Sequence, residues 1–111
     1  MSSFAFPVFV HEKDDDSVME FPTFTSMQGY LEAVDVENGE YEAWDAYGRC
    51  LELGVGNPKS EWLKISLRQG RASEEEFTAL KNRAEKRSEY EPFSKRFLRR
   101  LAEAKWRKIG S

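Results

Sequence analysis

His11 is the single histidine of the chain, and it stands among acids: Glu12, then Asp14, Asp15 and Asp16. An imidazole beside carboxylates can serve as a general base only where a nucleophile and an orienting acid share the site. Ser17 is close along the chain, but no nucleophile elbow or oxyanion loop accompanies it. A surface histidine at a strand end is the expectation. Lys13-Asp14-Asp15-Asp16 looks like a cation-binding run, yet calcium loops need alternate oxygen ligands, a central glycine and a terminal glutamate. One histidine and one cysteine, Cys50, do not fill a tetrahedral zinc site. No metal site is expected.

The remaining chemical candidates are equally thin. Glu40, Glu42, Asp45 and Glu52 could pair as carboxylates, but Asp45 has the opposite strand parity to Glu40 and Glu42, and hydrolysis would also need a pocket. Gly54-Val55-Gly56-Asn57-Pro58-Lys59-Ser60 lacks the phosphate-loop spacing and leads into a strand rather than a helix. Cys50 sits in an alternating apolar stretch, where a thiol behaves as a small hydrophobe. The sequence therefore predicts no catalytic residue and no cofactor, and the chain is read as a non-enzyme.

Charge is the stronger signal. Of 111 residues, 33% are charged and the net charge is −3. That figure conceals a division. Residues 1–57 hold 12 acids and two bases, a net of −10; residues 58–111 hold 15 bases and eight acids, a net of +7. Such asymmetry bears on partners. Aromatic residues make up 14% of the chain, which argues for a folded core. The apolar run Phe4–Val10 is short, contains Pro7 and lacks a basic leader, so it is not read as a signal peptide. No stretch approaches the roughly 18 apolar residues of a membrane span. The lone thiol suits a reducing compartment, and a cytoplasmic, non-membrane location is expected.

These residues need elements to position them. Phe4 to Val10 alternates and reads as a strand, and Ser17 to Phe21 returns as its hairpin partner. Thr25 with Gln28 forms a capping pair for a helix, along which Met27, Tyr30, Leu31 and Val34 recur at helical spacing as far as Asp35. Glu40–Ala46 and Arg49–Val55 alternate about a Tyr47-Gly48 turn, and Trp62–Arg68 forms a further strand. Ser73 caps a helix with Glu74, Glu75 and Glu76 in its first turn, Phe77, Leu80 and Ala84 as its buried stripe and Lys81, Arg83, Lys86 and Arg87 in its later turns. Pro92 to Lys108 forms the last helix, with Phe93, Phe97 and Leu101 on one side and Arg96, Arg99, Arg100 and Arg107 on an arc of about 200° to 300°.

The predicted order is β-β-α-β-β-β-α-α. It corresponds to an α+β fold with a mainly antiparallel sheet of about five strands and helices on one face. Residues 1–90 would form the compact domain, and 91–111 a basic amphipathic helix packed on it.

The expected site is a surface. Asp35, Glu37, Glu40, Tyr41, Glu42, Trp44, Asp45 and Tyr47 concentrate acids beside aromatics, a mixture suited to protein contacts. Either Trp44 packs inward and Tyr41 and Tyr47 face out, or the reverse holds. The expected function is a small acidic protein-binding module, in the manner of immunity proteins and antitoxins that neutralise a basic partner enzyme. The alternative is a regulator or complex subunit whose basic helix (Arg96, Arg99, Arg100, Arg107) binds nucleic acid or an acidic partner. Self-association of the two charged halves is a further option.

Overall fold

The computed structural model describes residues 3–56 and 62–87. Within them the order is β1 (Val8–Glu12), β2 (Ser17–Phe21), α1 (Phe24–Tyr30), α2 (Ala33–Glu37), β3 (Tyr41–Trp44), β4 (Arg49–Val55), β5 (Leu63–Arg71), α3 (Glu74–Arg83) and β6 (Glu85–Lys86). The predicted helix from Pro92 to Lys108 lies outside the described residues.

Local chemistry explains most boundaries. The β1–β2 turn closes because Asp15 Oδ1 accepts from the Ser17 N–H at 3.0 Å and from its hydroxyl at 2.6 Å. Asp16 takes φ +60°, a left-handed conformation that short polar side chains tolerate. The first helix is capped two residues earlier than expected: the Ser26 N–H donates to Thr23 Oγ1 at 3.1 Å, and the Thr23 N–H donates to Ser26 Oγ at 3.3 Å.

The expected single helix from Thr25 to Asp35 is broken. Leu31 is extended (φ −74°, ψ 152°) and separates α1 from α2. Leu31 still enters the core, but Val34 turns outward at 53% exposure and Val36 is buried instead. Helices of seven and five residues hold only through tertiary packing, so the side chains that fit the core decide the phase.

The sheet runs β5-β4-β3-β1-β2-β6. It is antiparallel except for the β2–β6 pair, which is parallel. The α+β class and mainly antiparallel sheet agree with the sequence reading; the strand number is six rather than about five. The sixth arises because α3 stops at Arg83: Ala84 is extended (φ −65°, ψ 132°), and Glu85 and Lys86 pair with Met19 and Glu20. Ala84, Lys86 and Arg87 therefore do not belong to the helix. Arg87 is buried over the Tyr30 ring at 5.2 Å and pairs with Glu85 at 2.7 Å.

The two faces of the sheet differ. Register puts Val8, Val10, Met19, Phe21, Ala43 and Leu51 on one face. There they meet Met27 and Leu31 from the first helical segment and Val36 from α2. Burial of each such side chain is worth about 1.5–3 kcal/mol. The opposite face presents Phe9, Trp44 and Cys50 in one row and His11 and Glu42 in the next. Here α3 lies across the sheet, with Phe77 edge-on to Phe9 at a ring separation of 5.4 Å. The helices thus occupy both faces, not one. Phe77 and Leu80 are half-buried, and α3 contains no fully buried residue.

Candidate functional site

Strand pairing assembles a polar cluster on the α3 face. His11 and Glu42 are direct partners across β1 and β3, so their side chains project together. The β1–β2 turn then brings Asp16 to the other side of the imidazole. His11 Nε2 lies 2.6 Å from Asp16 Oδ1, and Nδ1 lies 3.3 Å from Glu42 Oε1. A neutral imidazole can donate to only one of these two carboxylates. Arg83, in the last turn of α3, pairs with Asp16 Oδ2 at 3.3 Å and donates to the Asp16 carbonyl. The His11 hydrogen bond, foremost, and the Arg83 guanidinium hold the Asp16 carboxyl below the usual carboxylate range.

Around this cluster the sheet and α3 leave a cleft of about 360 Å³. Trp44 and Leu80 form apolar walls, and Asp16, Glu42 and Glu76 supply carboxylates against Arg83. Glu76 is placed by the cap of α3, where the Ser73 hydroxyl donates to it at 3.2 Å and Ser73 Oγ accepts the Glu76 N–H at 3.1 Å. His11 is 19% exposed at its side chain, so the imidazole is a partly sheltered cleft group.

Among the described residues, none that lines the cleft offers a hydroxyl or thiol nucleophile next to the imidazole. Ser17 pairs with Glu12 and so takes the opposite face, where its hydroxyl is engaged by Asp15. Acid-rich walls beside an indole suit a cationic side chain, which gains from both the carboxylates and the aromatic face. Among the described residues, no group of three or more His, Cys, Asp or Glu is placed to hold a metal ion.

The predicted surface divides into three parts. Asp35 and Asp45 are corrections: both are buried and cannot present charge to a partner. Asp35 accepts from the Tyr41 hydroxyl at 3.4 Å. Asp45, 0% exposed, is the anchor of the β3–β4 turn. Its Oδ1 accepts the Tyr47 and Arg49 N–H groups at 3.0 Å each, while Oδ2 accepts Arg49 Nε at 2.8 Å and the Ala5 N–H at 3.3 Å and lies 2.6 Å from Arg49 Nη2. Desolvation would raise its pKa, but these donors win, Arg49 foremost, and hold the carboxyl below the ordinary aspartate range. Tyr41 shares the core face with Ala43 and is half-buried.

Glu42 and Trp44 are the part that reaches the cleft. Glu37, exposed, and Glu40, half-buried, lie at the α2–β3 connection, where the Glu40 carbonyl accepts the Lys13 N–H at 2.9 Å. Tyr47 is 67% exposed in the turn, with the Arg49 guanidinium 5.4 Å from its ring centre. The alternative site residues Arg96, Arg99, Arg100 and Arg107 lie outside the described residues.

His11, Asp16, Glu76 and Arg83 were not expected as a group. One signal was present: His11 has the opposite parity to Val8 and Val10, which already puts it on the face away from their core. Pairing of β1 with β3, across two intervening helices, was not readable.

Among the described residues no helix is long and apolar enough to cross a membrane. Comparison with protein-family models, with curated proteins and with solved structures finds no match to this chain.

Proposed function

We propose that this protein is an acidic protein-binding module that engages a basic partner through the α3 face of its sheet, in the manner of an immunity protein or antitoxin neutralising a basic enzyme. The observation that carries the reading is the α3–sheet cleft, where half-buried Trp44 is ringed by Asp16, Glu42 and Glu76. Glu52 is exposed further along the same face, and Glu20 is half-exposed beside Phe9. An aromatic anchor beside carboxylates that outnumber Arg83 in the same cleft speeds encounter with a basic partner and gains affinity through the ring.

The test is capture of partners from the source cell with the intact chain and with a Glu42→Lys/Glu76→Lys variant. Both substituted positions are exposed, so the variant should keep its circular dichroism spectrum and unfolding midpoint. The reading expects a basic protein to be captured by the intact chain and lost with the variant. Removal of residues 92–111 with the fold intact should leave capture unchanged; loss of capture on that removal alone would move the interface to the basic segment.

A further inference from the structure

We infer that the outer edge of β5 binds an extended acidic segment of another protein as an added strand. The hydrogen-bond phase of the β4–β5 pair gives the geometry. The Gly56 N–H donates to the Trp62 carbonyl, and Gly54 pairs with Lys64 and Glu52 with Ser66. The even-numbered residues of β5 therefore turn their backbone groups toward β4, and Leu63, Ile65 and Leu67 turn theirs outward. The Leu63 N–H is met by Gln28 Oε1 at 3.0 Å, which closes one end of the edge. No strand among the described residues pairs with the edge at Ile65 or Leu67, since β5 is terminal in the sheet.

The side chains select the occupant. Lys64 and Arg68 are exposed at alternate positions on one face, flanking Ser66, while Ile65 and Leu67 are half-buried on the other. An incoming strand with acids at alternate positions and apolar residues between them matches both rows. A second copy fits less well: antiparallel pairing about Ser66 sets Lys64 against Arg68 of the other copy. Lys64 and Arg68 are not part of the cleft, although Glu52, opposite Ser66, lies on the same sheet face, and the inference stands whether or not that reading holds.

The probe is a blocked peptide of alternating Glu and Val, about eight residues long, titrated into the isotope-labelled full chain, with a Lys-Val peptide as control. The expected result is slowed amide exchange at Ile65 and Leu67 with the Glu-Val peptide alone, and at least about tenfold weaker binding by a Lys64→Glu/Arg68→Glu variant. Ile65→Pro removes one outward donor and should weaken binding likewise. The inference is overturned if neither peptide binds, if the control binds equally, if the shifts fall elsewhere, or if β5 pairs with itself in the free protein.

Discussion

The two faces of the sheet are filled to different degrees. On the α1–α2 face, Val8, Val10, Phe21 and Met27 reach 0% exposure. On the α3 face Phe9 is buried, but Trp44, Phe77 and Leu80 stop half-buried around a cleft, and a histidine, an arginine and three acids share the space with them. Carboxylates occur on the core side too, but there Glu12 and Asp35 are buried, whereas Asp16, Glu42 and Glu76 beside α3 are exposed to solvent. The proposed contact surface rests on these open acids and the half-buried indole.

The largest effects should come from the core face. Phe21→Ala is expected to cost about 3–5 kcal/mol, read by denaturant unfolding. Phe77→Ala on the other face should cost less, about 1–2 kcal/mol, because only part of the ring leaves water. Equal losses would erase the contrast between the faces.

Next comes the Asp45 anchor. Arg49→Ala leaves a carboxylate at 0% exposure without its cation and should cost about 3 kcal/mol. Because the Asp45 pKa lies below its ordinary range, its contribution is complete above that range and is lost as pH falls through the folded value. Asp45→Asn should therefore flatten the acid limb of the stability profile, with the gap from the unsubstituted protein narrowing as the pH drops. A gap that widens in acid would contradict the assignment.

A smaller effect is expected at Gly48. It has φ +80°, and an added Cβ would sit 3.2 Å from the Phe77 ring. Gly48→Ala should cost about 1–2 kcal/mol from conformation and crowding together, and should shift the Phe9 and Phe77 ring signals. Unchanged ring signals would separate the turn from α3.

These contrasts also explain what was legible in advance. The Ser17–Phe21 strand, the Arg49–Val55 strand and the Ser73 cap are local patterns, and each was readable from residues that touch one another along the chain. The break at Leu31 was not, because Met27, Tyr30, Leu31 and Val34 keep a helical period, and only packing decides that Val36 rather than Val34 enters the core. The burial of Asp45 depends on Ala5 and Arg49 converging on it, and a carboxylate carries no sign in sequence of donors that arrive from 40 residues away. The His11 cluster depends on the β1–β3 register and on where α3 crosses the sheet. Both are tertiary facts.

The most direct test of the α3 face as the contact surface is amide shift mapping with the captured basic partner titrated into the isotope-labelled chain. The account predicts that the perturbations gather at His11, Glu42, Trp44 and Glu76, with the indole signal of Trp44 moving most. Perturbations confined to residues 92–111, or to α1 and α2 on the core side, would contradict it.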